Sequence, residues 1–341
     1  MENPIFKRIL PAPVHGGFKQ EDYFIWCGSC IRGEDGRYHL FASRWPKELG
    51  FGVNWLFNCE IVRASSDVPE GPYQFEEVVL GRRGREYFDG MNQHNPYIQR
   101  WNGTYYLYYM GTTYGGPIPG AGDSVSSERG SEVWNNKRIG LAASKSVFGP
   151  WERLDKPLLE PRLGKWDCTI TTNPAVAILE DGTTYMIYKS REYAGSTLQL
   201  GVAIADHPAG PFRRLSDEPI LHFTDPNLHV EDPYLWHDGT LFHLLIKDDV
   251  KNGSEGLTGE WGSGVYATST DCLQWTIHPA PKAYSRTVAW DDGSVREMCN
   301  LERPYLLFHE GKPTHLFLAT GNGDKPYQFT HTWNMVIPLK V

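Results

Sequence analysis

No run of apolar residues in this chain reaches the roughly 18 that a membrane span requires, so membrane insertion through helices is not expected. The start, Met1-Glu2-Asn3-Pro4, has neither a basic segment nor an apolar h-region. A cytoplasmic protein is therefore expected, or a secreted or periplasmic one whose leader has been trimmed. Basic runs are missing too, and the formal net charge of -8 with a pI near 5.8 argues against a dedicated nucleic-acid binder. Cysteine is sparse: Cys27, Cys30, Cys59, Cys168, Cys272 and Cys299 are scattered over 341 residues, which is no disulfide scaffold. Cys27-Gly-Ser-Cys30 has CxxC spacing, yet no second pair or His-x-x-His completes a zinc site. Buried structural thiols are expected.

Aromatic residues, at 13%, are abundant instead, with 35 Gly and 24 Pro. That mixture favours short strands joined by tight turns over long helices. The strands fall into repeats. Ile25 to Arg32, the turn Glu34-Asp35-Gly36 and Tyr38 to Ala42 form a hairpin, followed by Cys59 to Ser65 and Gly71-Pro72-Tyr73. The same order returns from Asn95-Pro96 to Gly149-Pro150-Trp151, and from Asn173-Pro174 to Gly210-Pro211-Phe212. A fourth copy runs from Glu231-Asp232-Pro233 to Leu273-Gln274-Trp275, and a fifth starts at Glu302-Arg303-Pro304 and ends with a strand from Trp333 to Leu339. Four-stranded units repeated radially make a β-propeller. An all-β, five-bladed propeller in one domain, residues 1–341, is expected.

Strand order then places function. In a blade the start of strand one, the end of strand two and the loop to strand three share a face. The long loops Trp45 to Asn58, Thr113 to Lys137 and Val250 to Ser263 are such connections, on the face that also carries Glu231, Asp232 and Glu302.

The Asn/Asp-Pro blade starts, Asp-Gly hairpins and Gly-x-Ala-x-Ser…Gly-Pro-aromatic closures resemble those of five-bladed glycosidases of the family 43 type. The resemblance is to a family 43/32/117-like superfamily of arabinofuranosidases, xylosidases, arabinanases, invertase-like enzymes and neoagarobiose hydrolases, as a divergent relative. It implies a general base on the first blade, a pKa-tuning Asp on the third and a general-acid Glu on the fourth. Glu231, in Glu-Asp-Pro, matches the acid. Cys27-Gly28 and Asn173-Pro174 stand where the family carries Asp-Pro. The resemblance leaves room for a structural calcium in the channel, with no cofactor required.

Glycoside hydrolysis needs an acid and a base or nucleophile. A carboxyl group among aromatics beside a second carboxylate has its pKa raised, which suits Glu231 next to Asp232 for the acid. Glu302 repeats the geometry on the fifth blade. The base is sought in Asp22, just before the first blade, and next in Asp167, before the third; the alternative for such residues is a turn that starts a blade. Asp232, His94, Asn95, Asn173 and His229 at or beside the blade starts are candidate sugar ligands; the alternatives are blade-starting turns for Asn95 and Asn173, and a structural hydrogen bond or a water-mediated axial metal for the histidines. Arg44, Lys189, Arg191 and Lys247 end second strands with Glu192, Asp248 and Asp249 beside them; they would favour an acidic sugar if they converge, and otherwise form local ion pairs with those acids. Trp45, Trp55, Trp134, Trp261 and Tyr114 lie on loops of that face, placed to stack on sugar rings or to pack. The expected function is an exo-acting, inverting glycoside hydrolase on short oligosaccharides or glycosides. The alternatives are a non-catalytic carbohydrate-binding propeller or a glycoside phosphorylase.

Overall fold

A computed structural model of the protein describes residues 2–223, 225, 227–250 and 255–341. The first blade is β1 (Tyr23–Arg32), β2 (Tyr38–Pro46), β3 (Glu60–Ser66) and β4 (Gln74–Leu80). The second comprises β5 (Asn92–Trp101), β6 (Thr104–Thr112), β7 (Arg138–Ser144) and β8 (Glu152–Arg153). The third comprises β9 (Thr172–Ile178), β10 (Thr184–Ser190), β11 (Gln199–Ala205) and β12 (Arg213–Arg214). The fourth comprises β13 (Val230–His237), β14 (Phe242–Asp248), β15 (Gly264–Ser269) and β16 (Thr276–Tyr284). After a small hairpin, β17 (Thr287–Ala289) and β18 (Val295–Glu297), come β19 (Glu302–His309), β20 (Lys312–Gly321) and β21 (Thr332–Pro338). All named pairings are antiparallel, and strands within each sheet lie in sequence order. This is a five-bladed β-propeller.

The fifth sheet has three strands of its own. Its outer edge is met by the N-terminal segment, through antiparallel bridges Phe18↔Asn334 and Ile9↔Leu339. The beginning of the chain thus covers an edge that its end leaves open, so the last blade presents less unpaired backbone. Helices are few: α1 (Trp55–Asn58) and α2 (Ser127–Asn135) are built into second-to-third-strand loops, with Ser126 capping α2 by accepting from Arg129 N–H. No helix among the described residues is long and apolar enough to cross a membrane.

Local chemistry explains the repeat. At Asn102-Gly103 and Glu310-Gly311 both turn residues have positive φ (46° and 72°, 49° and 75°), the mirror-image turn whose twist suits a two-residue hairpin. In the third strands, a Cβ on Gly140 or Gly201 would come within 2.6 Å of the ring of Tyr109 or Tyr188. The glycine of the Gly-x-Ala motif is therefore a seat for the neighbouring tyrosine.

The innermost strands share one irregularity. Cys27, Asn95, Asn173, Asp232 and Arg303 each adopt a left-handed backbone, with φ between 46° and 58°. Each sits at a break in the pairing of the first two strands of its blade. In four of them Pro follows, a residue with no N–H to give to a ladder. A bulge re-aims side chains, here toward the channel axis. Asn and Asp tolerate this conformation; Cys27 and Arg303 hold it with more strain.

Two residues after three of these bulges come Tyr97, Tyr234 and Tyr305. Their hydroxyls donate cyclically to backbone carbonyls of other blades: Tyr97 to Leu235 (3.0 Å), Tyr234 to Leu306 (3.0 Å) and Tyr305 to Ile98 (2.6 Å). The rings pack with centroids 4.9–5.7 Å apart. The three tyrosines plug the axis between the two ends of the propeller.

Candidate active site

The floor is a chain of hydrogen bonds through the five bulge residues. Cys27 Sγ donates to Asn95 Oδ1 (3.0 Å), Asn95 Nδ2 to Asn173 Oδ1 (2.8 Å), and Asn173 Nδ2 to Asp232 Oδ1 (3.1 Å). Arg303 Nη1 reaches the same Asp232 oxygen at 3.1 Å. Only about 30 Å³ of cavity lies among these residues and their prolines. Asn95 and Asn173 were candidate sugar ligands; their amides are engaged with one another. Burial raises the Asp232 carboxyl above its usual range, with Arg303 and Lys189 opposing.

One residue before each bulge stands Trp26, His94, Thr172, Glu231 or Glu302. Opposite Glu231 is Lys247, and opposite Thr172 is Lys189. Each lysine reaches across to the next blade: Lys189 Nζ to Glu231 Oε1 at 3.2 Å, and Lys247 Nζ to Glu302 Oε1 at 2.7 Å. Glu302 also accepts from Asn300 Nδ2 (3.0 Å) and Tyr327 Oη (2.6 Å). Burial pushes the Glu231 carboxyl up, but Lys189 and Lys247 outweigh it and hold it down at about 2. Glu231 is thus ionised in the unliganded protein, the opposite of the raised pKa expected for a resting acid. A carboxylate neighbour in sequence did not decide this; two lysines from adjacent strands did.

Asp249 completes the group, accepting from His229 Nδ1 (2.9 Å), Trp261 Nε1 (3.1 Å) and Lys247 Nζ (3.3 Å). His229 Nε2 faces the Leu198 carbonyl at 3.0 Å. Both ring nitrogens point at acceptors, so both contacts are hydrogen bonds only in the doubly protonated ring. His229, Glu231 and Asp249 bring ligand atoms within 4.8 Å of one another. They do not fit a calcium ion: Lys189 and Lys247 already lie on the two carboxylates, and calcium takes oxygen ligands, which an imidazole does not offer.

His94 is buried under Trp55, its ring centroid 5.0 Å away, with Cys59 Sγ 3.1 Å from Nδ1 and Cys27 Sγ 3.6 Å from Nε2. Burial, with Arg303 and Lys137 nearby, lowers its pKa well below the usual histidine range, so the ring is neutral. Burial likewise pushes the Cys27 thiol up to about 12. The thiol at the position of the resembled family's base is a hydrogen-bonding part of the floor.

Other candidates lie elsewhere. Asp22 is exposed, and its backbone carbonyl accepts from Lys47 N–H; no contact among the described residues joins it to Glu231. Asp167 is buried, gripped by Arg162 (2.9 Å), Arg214 (2.8 Å) and Tyr188 Oη (2.8 Å). Asp89 repeats this with Arg83 (2.7 Å) and Tyr109 Oη (2.6 Å). These are the same tyrosines seated on Gly140 and Gly201, so Asp89 and Asp167 lock blades. Their shared spacing, six residues before Asn-Pro, was the available signal for a structural role. Arg44 points to the outer part of the first blade, paired with Glu60 (2.9 Å) and lying over Tyr23 and Phe75. Trp45 is 1% exposed, packed against Phe24 and Phe51, and presents no face to a sugar. Tyr114 is buried and donates to Phe57 O.

Trp261 does lie against the Glu302 partner Lys247 and donates to Asp249, while Arg191 and Trp134 meet each other. The loop residue Lys137, which sequence reading passed over, lies with that pair, 3.3 Å from the Trp134 ring centroid. Tyr327, from the β20–β21 loop, is a second addition. Of the loop from Val250 to Ser263, residues 251–254 lie outside the described residues. A larger cavity of about 830 Å³ opens at the other end of the axis, lined by hairpin residues including Arg32, Glu180, Trp236 and Phe308. The tyrosine plug separates it from Glu231 and Glu302.

Comparison with solved structures meets the same architecture. A family 117 glycoside hydrolase from Zobellia galactanivorans, Zg3597, superposes with a TM-score of 0.64 at 17% identity, over 98% of this chain and 90% of that one. Native Bacillus subtilis arabinanase Arb43A does so at 0.58 and 14%, over 95% and 96%. The catalytic domain of a family 62 α-L-arabinofuranosidase from Coprinopsis cinerea gives 0.61 and 13%, over 97% of each. The chain has their fold. No protein-family model and no curated protein matches it.

Proposed function

We propose that the protein is a glycoside hydrolase, exo-acting on short oligosaccharides and inverting, with Glu231 and Glu302 as its working carboxylates. The observation that carries this reading is the pair itself. Two glutamates stand at equivalent positions of neighbouring blades, each clamped by a lysine, with Trp261 against Lys247 and Asp249 and with Trp55 and Trp134 against Lys137. A plugged axis suits removal of a terminal sugar better than threading of a chain. Ionised as it rests, Glu231 is ready to take a proton; it can serve as the acid only when a bound substrate draws Lys189 away. Inversion requires the two carboxyl groups to lie roughly 6.5–9.5 Å apart with water between them.

The test is turnover of a panel of chromogenic glycosides by the native chain and by Glu231→Gln and Glu302→Gln. Each substitution is expected to lower kcat by about 10²-fold or more; each also takes the glutamate partner from a buried lysine and lowers stability, so activity is compared at a temperature where circular dichroism shows both variants folded. A fully active Glu231→Gln protein would sink the assignment. NMR of the first-formed anomer separates inversion from retention.

The buried thiol at Cys27 and the amide at Asn173 favour a second reading, a carbohydrate-binding propeller without catalysis. It predicts calorimetric binding of a sugar and no turnover across the panel.

A further inference from the structure

The mouth holds positive charge that its own carboxylates do not neutralise. Lys189 and Lys247 are engaged with Glu231 and Glu302, and Arg303 with Asp232. Lys137 and Arg191 have no carboxylate at ion-pair distance among the described residues. Lys137 is only 3% exposed, and its ammonium lies against aromatic rings, Trp134 at 3.3 Å and Trp55 at 5.5 Å from the ring centroids. Arg191 brings its guanidinium carbon 3.7 Å from the same Trp134 centroid. Its Nη2 donates to Asn135 Oδ1 (2.7 Å), while its Nε is buried without an acceptor.

A π face offsets only part of the cost of taking an ammonium from water, and a second cation on the same ring adds repulsion. Burial first, and then Lys189, Arg303 and Arg191, lower the Lys137 pKa well below the usual lysine range, with Glu231 opposing. An arrangement that is unfavourable alone becomes favourable when an anion arrives, because both cations then gain a charged acceptor in a place of low dielectric. Arg191 keeps guanidinium hydrogens beyond the one it gives to Asn135, and these suit a carboxylate.

We propose that Lys137 and Arg191, seated on Trp134, bind the carboxylate of a sugar, so that the ligand of this mouth is a uronic acid glycoside. The proposal deepens the hydrolase reading and takes the sugar from it. Inorganic phosphate is an oxyanion of similar chemistry, and the test separates the two.

The full chain is titrated calorimetrically with D-glucuronate, D-galacturonate, their neutral parents D-glucose and D-galactose, and inorganic phosphate. The same series is run on Lys137→Met and Arg191→Gln, each checked for an unchanged melting temperature. At least one uronate is expected to bind about tenfold or more tighter than its neutral parent, and both substitutions should remove that preference. Equal binding of uronate and parent would overturn the proposal, as would a preference that survives both substitutions. Binding of phosphate but of neither uronate would overturn the sugar carboxylate as the ligand. A uronate preference in a protein that turns over no glycoside leaves the inference standing and removes the hydrolase. Turnover of neutral glycosides without any preference does the reverse.

Discussion

Lys189 reaches from the third blade to Glu231 on the fourth, its Nζ 3.2 Å from Oε1. The contact sets the charge of the residue most exposed to the proposed chemistry. Without Lys189 the opposing effect of burial weighs more, so Lys189→Met should raise the Glu231 pKa by about 1–3 units. A ¹³C-detected titration of the glutamate side chains reads this directly. An unmoved Glu231 would mean that Lys247 alone sets its charge.

The same depression has a consequence for acid stability. Glu231 falls from its ordinary 4.5 to about 2 on folding. A depressed carboxyl stabilises the folded state fully above about 4.5, and that contribution disappears as pH falls through about 2. Denaturant titrations between pH 5 and pH 2 on the parent and on Glu231→Gln should therefore converge toward the acid end.

Asp167 is expected to matter for folding and not for turnover. Asp167→Asn leaves Arg162 and Arg214 facing a neutral amide in a buried place, which costs about 3–5 kcal/mol. Chemical denaturation measures the loss. A variant of unchanged stability but abolished turnover would return Asp167 to the list of catalytic groups.

Trp45 makes a similar case among the aromatics. Removing a ring that is 1% exposed leaves a cavity, and Trp45→Ala should cost about 3–5 kcal/mol. Sugar affinity of the folded fraction should stay within about threefold, since no face of the ring reaches the mouth.

The thiols should separate by place. Burial pushes Cys27 and Cys30 up to about 12, whereas Cys168 is partly exposed. Alkylation of the native protein at neutral pH, followed by peptide mass spectrometry, should mark Cys168 first. Early labelling of Cys27 would show that the floor opens.

How far the sequence could be read differs between fold and site. Asp-Gly hairpins, Gly-x-Ala third strands and Asn/Asp-Pro blade starts act over a few residues, so their recurrence was legible as five blades. The order of strands also placed the long loops on the face of Glu231 and Glu302, where Trp134, Trp261 and Tyr327 now stand. Single side chains were harder. Arg44 and Lys189 both end second strands, but Arg44 turns outward to Glu60 and Lys189 inward to Glu231. Asp167 and Glu302 both precede blades, and one locks a tyrosine while the other faces the mouth.

By itself the sequence determined the repeat, its strand order and the face on which carboxylates gather, because these follow from turn chemistry and from the two-residue period of a strand. Only the tertiary structure decided which charges meet. Lys189 and Glu231, Lys247 and Glu302, Asn95 and Asn173 are brought together by closure of the ring, across blades that are distant in the chain. The same closure leaves Lys137 and Arg191 together on Trp134, with no carboxylate at ion-pair distance among the described residues. Their energies depend on burial and on partners contributed by another blade, and neither is written in the residues beside them.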